Sequence, residues 1–177
     1  MFIETKRLYI RDLTLQDLKA LYAYAKKPMI GPMAGWKPHQ DIKESKLVLD
    51  WMMHSKEVFA IAAKETNQLL GTIGLHVRKK EHELLHIREL GYALDNDYWG
   101  VGIMPEAVNA MIKYGFETMQ LKKIMVGHIT NNIQSKRVIE KCGFKETHHE
   151  YRDYLGEQKV VIMYALERKD YGKDISI

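Results

Sequence analysis

Apolar residues recur along this chain in two rhythms, one of period two and one of period 3.6, and the switches between them mark out the elements. Glu4–Ile10 alternates as a strand. Thr14 then opens a helix as its N-cap, with Asp17 inside the first turn, where a carboxylate complements the helix dipole. Leu18, Leu21, Tyr22 and Ala25 give that helix an apolar face. Three prolines and two glycines between Pro28 and Pro38 predict a loop. Asp41 caps a second helix, with Ile42, Val48, Leu49 and Met52 inward. Val58–Lys64 and Leu69–Val77 read as strands, and polar Glu65–Gln68 joins them as a hairpin. Glu89–Leu94 is a further strand. Pro105–Met119 is the strongest helix: Val108, Met111, Ile112, Gly115 and Met119 recur at helical spacing, and Pro105 stands where a first-turn proline loses no hydrogen bond. Lys123–Ile129 alternates as a strand, and Ser135–Cys142 is a short helix stopped by Gly143. Phe144–Tyr151 and Lys159–Leu166 are late strands, paired antiparallel across a Leu155–Gly156 turn. The order β-α-α-β-β-β-α-β-α-β-β predicts one domain over residues 1–177. It is of the α/β (α+β) class, with a mixed sheet flanked by helices.

Composition narrows the function classes. The 177 residues suit one domain, and 46% hydrophobic with 28% charged residues is ordinary for a soluble globular chain. The lone cysteine, Cys142, permits no internal disulfide, which fits a cytoplasmic setting. The longest apolar runs, Val58–Ala63 and Val160–Leu166, fall far short of the ~20 residues of a membrane span, and the N-terminus lacks a signal-peptide pattern. No membrane partner is expected. Net charge is +4, but the cations come as scattered pairs such as Lys26–Lys27 and Lys136–Arg137, with no basic–aromatic block. Nucleic-acid binding therefore rests on charge alone, whereas a small polyanion is served by one such pair.

The chemistry concentrates in Leu90–Ala107, LGYALDNDYWGVGIMPEA. A strand ends, a glycine-bearing loop follows, and a strong helix begins. Such a junction aims backbone N–H groups and the helix dipole at one spot, which suits a phosphate or pyrophosphate. Gly100 and Gly102 let the backbone come close. Alone, two glycines before a helix are more often a plain turn. This is neither a Walker loop nor a full dinucleotide fingerprint.

The same segment, followed by NNIQSKRVIEKCGF (Asn131–Phe144), resembles the paired acetyl-CoA-binding segments of GNAT acetyltransferases. The opening IETKRLYIRDLTLQDL and the late VVIMYALER are similar to the ribosomal-protein acetyltransferase (RimJ/RimL-like) branch. The resemblance spans nearly the whole chain in order. It implies a GNAT-like fold with a mostly antiparallel sheet. The implied enzyme is an N-acetyltransferase moving the acetyl group of acetyl-CoA directly to a primary amine, such as the α-amine of a ribosomal protein. Small-molecule amines use the same fold, and a non-catalytic acetyl-CoA-binding module is a further alternative. No metal is implied, and dimers are common in the superfamily, so a homodimer is an expectation.

Carried over residue by residue, Gly100, Val101, Gly102, Ile103, Met104 and Pro105 become the pyrophosphate cradle. Trp99 and Met104 depart from the family's loop pattern, but the contacts are made by backbone. Tyr92, Ala93 and Leu94 would pair with the pantetheine arm and offer an N–H to the thioester carbonyl. Asn132 matches a pantetheine contact, while Ser135 and Lys136 or Arg137 lie by the coenzyme track. The transfer also needs a base for the amine and a proton for the leaving thiolate. Glu89 is the expected base, directly or through water, against a plain solvated carboxylate. Ile139 stands where many relatives carry an acidic tyrosine, which leaves Ser135 as the acid, against a cap or coenzyme contact. Trp36 and His39 sit in the loop bordering the acceptor site, against covering core and a surface position. Cys142 reads as a small core residue, and the histidines show no zinc spacing.

Overall fold

The computed structural model describes residues 1–172, so the end of the expected 1–177 domain lies outside the described residues. Eight strands are present: β1 (Phe2–Glu4), β2 (Leu8–Arg11), β3 (Val58–Ala63), β4 (Leu69–His76), β5 (Ile87–Leu94), β6 (Lys123–Ile129), β7 (Lys145–Tyr154) and β8 (Glu157–Glu167). They form one sheet in the order β1-β2-β3-β4-β5-β6-β8-β7. The helices are α1 (Leu18–Ala25), α2 (Gly31–Ala34), α3 (Ile42–Ser55), α4 (Lys80–Leu84), α5 (Ile103–Lys113) and α6 (Ile133–Lys141). Among the described residues, no helix is long and apolar enough to cross a membrane.

Helices α5 and α6 cover one face of the sheet. Ala107, Val108 and Met111 of α5 and Ile139 of α6 bury against Ile73, Leu75, Leu90 and Val126. Each of the larger of these side chains, Ala107 excepted, contributes about 1.5–3 kcal/mol on leaving water. Helices α1 and α3 cover the other face through Leu21, Tyr24 and Leu49, which meet Val58, Ala60 and Leu69. The mixed sheet between two helical layers is the GNAT-like arrangement expected.

The feature that matters for function is a break in the sheet. All neighbouring strands are antiparallel except β5 and β6, which run parallel. Their pairing covers only Ile87↔Lys123, Arg88↔Ile124 and Glu89↔Met125. Beyond Glu89 each strand keeps its other partner, β4 for β5 and β8 for β6, so the two diverge and leave a fork in the sheet.

Several local expectations change. The strand expected over Glu4–Ile10 is two strands, β1 and β2, because Thr5 turns the chain: its N–H donates to the Leu8 carbonyl (2.9 Å) and its Oγ1 accepts from the Leu8 N–H (3.0 Å). Thr14 opens a 3₁₀ turn, Leu15–Asp17, before α1, and its N–H donates to the Asp17 carboxylate at 2.8 Å. Asp41 caps α3 by accepting from the Glu44 N–H, but Ile42 faces solvent rather than core. The loop between Pro28 and Pro38 contains the single turn α2, and α4 adds a helix with no buried residue. Helix α5 starts two residues before Pro105 and widens into a π turn at Tyr114–Thr118.

Candidate active site

The fork opens into a cleft of about 730 Å³ that runs from the β5–α5 loop, past the divergent end of β5, to the opposite face of the sheet. Its two ends differ in chemistry.

At one end lies the glycine loop. Gly100 and Gly102 hold φ of 79° and 80°, a left-handed conformation that glycine adopts without a Cβ clash. Gly102 is the N-cap of α5, so the first-turn N–H groups of that helix have no partner within it. A methyl group at Gly100 would meet nothing within 4 Å, and one at Gly102 only Arg7 Nη2 at 3.5 Å. The loop thus presents bare backbone donors to open space, which fits a pyrophosphate. It is held from behind. Arg7 Nη1 donates to the Val101 carbonyl (2.8 Å) and Arg7 Nε to Glu106 Oε2 (2.7 Å), while Thr5 Oγ1 donates to Glu106 Oε1 (2.6 Å). Burial pushes the Glu106 carboxyl up, but Thr5 and Arg7 outweigh it and hold it below its ordinary value. The turn that splits the first expected strand therefore braces the cradle.

Tyr92, Ala93 and Leu94 form the β5 wall, and Asn132, Ser135 and Arg137 line the facing side. Asn132, rather than Ser135, caps α6: its Oδ1 accepts from the Ser135 N–H at 3.0 Å. The Tyr92 hydroxyl lies 2.9 Å from Ser135 Oγ, closing a bridge between β5 and α6. Burial pushes the Tyr92 phenol up from its ordinary value. The pair therefore offers hydrogen bonds rather than a readily released proton. Arg137 and Lys141 add positive charge to this wall.

At the other end, on the α1/α3 face, Glu89 stands where β5 leaves β6. It is buried, and Arg152 of β7 reaches across the fork to grip it with Nη1–Oε1 at 2.7 Å and Nη2–Oε2 at 2.8 Å. Arg78 Nε stands 3.3 Å from the same carboxylate. Burial alone would raise the Glu89 pKa, but the hydrogen bonds and charge of Arg152, with Arg78 and His76, hold it below the ordinary glutamate value. A carboxylate so occupied is a weak proton acceptor, which counts against Glu89 as the base. The same pair raises the Arg152 pKa.

Of the expected cofactor residues, Tyr92, Ala93, Leu94, Gly100, Gly102, Ile103, Met104, Pro105, Asn132, Ser135 and Arg137 all line the cleft. Val101 does not; its side chain faces solvent. Trp36 and His39 lie outside the cleft as well. Trp36 packs on the α1/α3 core, and buried His39 faces Ser45, with Nδ1 and Oγ 2.7 Å apart. Burial lowers the His39 pKa, so the ring is a neutral structural element. Cys142 is buried and its thiol is pushed up to about 12, which removes it as a nucleophile. Sequence reasoning missed Arg78, on the β4–α4 connection, Arg152, on β7, and Met33, in α2, all outside the motifs. Only the fold brings them to the cleft.

Comparison with known proteins gives the family and the fold. The model of the acetyltransferase (GNAT) domain family matches residues 7–145. An uncharacterized N-acetyltransferase, p20, of Bacillus licheniformis is 26% identical over 175 residues, covering 95% of this chain and 97% of that protein. The [ribosomal protein uS5]-alanine N-acetyltransferase of Escherichia coli is 29% identical over 89 residues, 49% of this chain and 45% of that protein. The crystal structure of a GNAT-family acetyltransferase from Bacillus anthracis superposes with a TM-score of 0.87 at 25% identity, covering 96% of this chain and 99% of that one. With a matched domain, a forked sheet and a backbone cradle at its mouth, the chain belongs to the GNAT family of acetyl-CoA-dependent N-acetyltransferases.

Proposed function

We propose that the fork moves the acetyl group of acetyl-CoA to a protein N-terminal α-amine of the ribosomal-protein kind. In this reading Gly100–Pro105 takes the pyrophosphate, and Tyr92–Leu94 lies along the pantetheine arm. A β5 N–H polarises the thioester carbonyl, and Ser135 with Tyr92 offers hydrogen bonds to the departing sulfur. The observation that carries the acceptor class is the state of Glu89. Its two oxygens are occupied by Arg152, so among the described residues the fork holds no strong carboxylate base. An α-amine, with a pKa near ~7.7–8.0, reaches the site largely unprotonated at mildly alkaline pH, whereas an alkylamine near ~10.4 does not. Arg78 and Arg152 beside Glu89 also disfavour a polycation.

The test is an acceptor panel read by release of the CoA thiol. Peptides with a free N-terminal amine are expected to turn over well above spermidine or an amino sugar. Faster turnover of a polyamine or amino sugar would move the chain to the small-molecule acetyltransferases. Normal binding of acetyl-CoA without thiol release by any amine would make it a non-catalytic acetyl-CoA-binding module.

A further inference from the structure

With Glu89 occupied, the fork needs another proton acceptor on the α1/α3 face. We propose that His76, oriented by Glu57, takes the proton of the acceptor amine; this rests on the acetyl-transfer reading above.

His76 ends β4 and is the cross-strand partner of Glu89. Its ring lies over two glycines on that face. A methyl group at Gly91 would sit 3.1 Å from His76 Nε2, and one at Gly74 would sit 3.0 Å from the same atom. Gly91 lines the cleft between Glu89 and Tyr92, and the imidazole packs against that glycine from the β4 side, next to the cleft rather than in its lining, so a proton reaches it across Gly91 through solvent. Its other nitrogen, Nδ1, stands 3.3 Å from Glu57 Oε2, while Glu57 Oε1 accepts from the Val77 N–H at 3.4 Å. The carboxylate thereby keeps the proton on Nδ1 and leaves the Nε2 lone pair free, and Nε2 makes no protein hydrogen bond among the described residues. A carboxylate behind one ring nitrogen and an open lone pair on the other is how imidazole bases are built.

The charges around the ring fix its state. Burial and Arg78 lower the His76 pKa, against Glu57 and Glu89, which raise it. Arg152, from β7, pairs with Glu89 and sets a positive charge against that carboxylate's pull toward an imidazolium. His76 is neutral at physiological pH and able to accept. In the step, the acceptor nitrogen's lone pair forms the N–C bond. The C–S bond breaks with its electron pair leaving on sulfur, and the surplus proton on nitrogen passes to Nε2. Glu57 balances the imidazolium, which returns the proton to solvent or to the thiolate.

The experiment uses the full chain with acetyl-CoA and an N-terminal peptide. His76→Gln is expected to lower kcat by about a hundredfold or more, with acetyl-CoA binding by calorimetry and the melting temperature retained. Two flanking variants separate a base from a structural histidine. Removing the carboxylate in Glu57→Gln lowers the imidazole pKa, and removing the cation in Arg78→Gln raises it. The acid limb of kcat should follow, to lower pH in the first and higher in the second. The NMR titration of His76 in the chain alone should move the same way. If His76→Gln fails to fold, these two variants decide. Unchanged kcat in a folded His76→Gln, or an acid limb that moves in neither flanking variant, overturns the assignment and leaves acetyl transfer standing. Absence of turnover by the unmodified chain overturns both.

Discussion

Gly102→Pro should abolish measurable acetyl-CoA binding in a calorimetric titration while the protein stays folded. Gly102 holds φ at 80°, and proline is confined near −65°, so the loop entering α5 cannot keep its path. The substitution also removes one backbone N–H from the cradle. A hydrogen bond to a charged oxygen is worth about 1.5–3 kcal/mol, which alone weakens binding about tenfold to a hundredfold. Re-routing the loop displaces the neighbouring donors as well. Gly102→Ala keeps the N–H, and its methyl meets only the end of Arg7 at 3.5 Å. Its effect should be confined to the strain of a left-handed alanine, about 1–2 kcal/mol. A Gly102→Pro protein that binds as well as its parent would remove the loop from the coenzyme site.

Arg152→Gln should produce the largest loss of stability among single substitutions at the cleft. It leaves Glu89 buried with only the more distant Arg78 for compensation. Removing one partner of a buried ion pair costs about 3–5 kcal/mol, and Arg78 places this case at the lower end. The effect has a pH signature. In the parent the Glu89 pKa is depressed, so the pair's contribution is present above the unfolded value near 4.5 and is lost as pH falls through the folded value. Without Arg152 the Glu89 pKa rises, because burial then dominates. The deficit should therefore be widest near neutrality and shrink toward acid pH, where Glu89 is protonated in both proteins. Urea denaturation at neutral and acid pH measures it, and a pH-independent deficit would contradict the ion-pair account.

How much of this was legible before folding depends on whether local sequence carries the information. The glycine loop was readable because positive φ and a helix start are local, and Gly100, Gly102 and Pro105 all face the cleft. The β3–β4 hairpin and the Leu155–Gly156 turn were readable for the same reason. Helix α4 was not, since it buries nothing and carries no apolar stripe. Ile42 was read inward from its spacing, yet it sits in the first turn of α3, beyond the reach of the sheet. The larger gap concerns charge. Glu89 read as an available carboxylate because the residue that occupies it, Arg152, stands 63 positions away on β7. Glu57 and His76 lie 19 positions apart and meet only when β3 and β4 pair. Periodicity says nothing of such encounters. His39 illustrates the converse: its loop position suggested the acceptor site, whereas packing under α3 turned it onto Ser45.

The most direct test of the account is to locate the transferred acetyl group. A peptide bearing both a free N-terminal amine and an internal lysine is incubated with acetyl-CoA and the protein, and the product is fragmented by tandem mass spectrometry. The fork described here, with Arg152 occupying its carboxylate, predicts a single acetyl group on the α-nitrogen. Acetyl on the lysine side chain would show that the site deprotonates a strongly basic amine and would contradict the account.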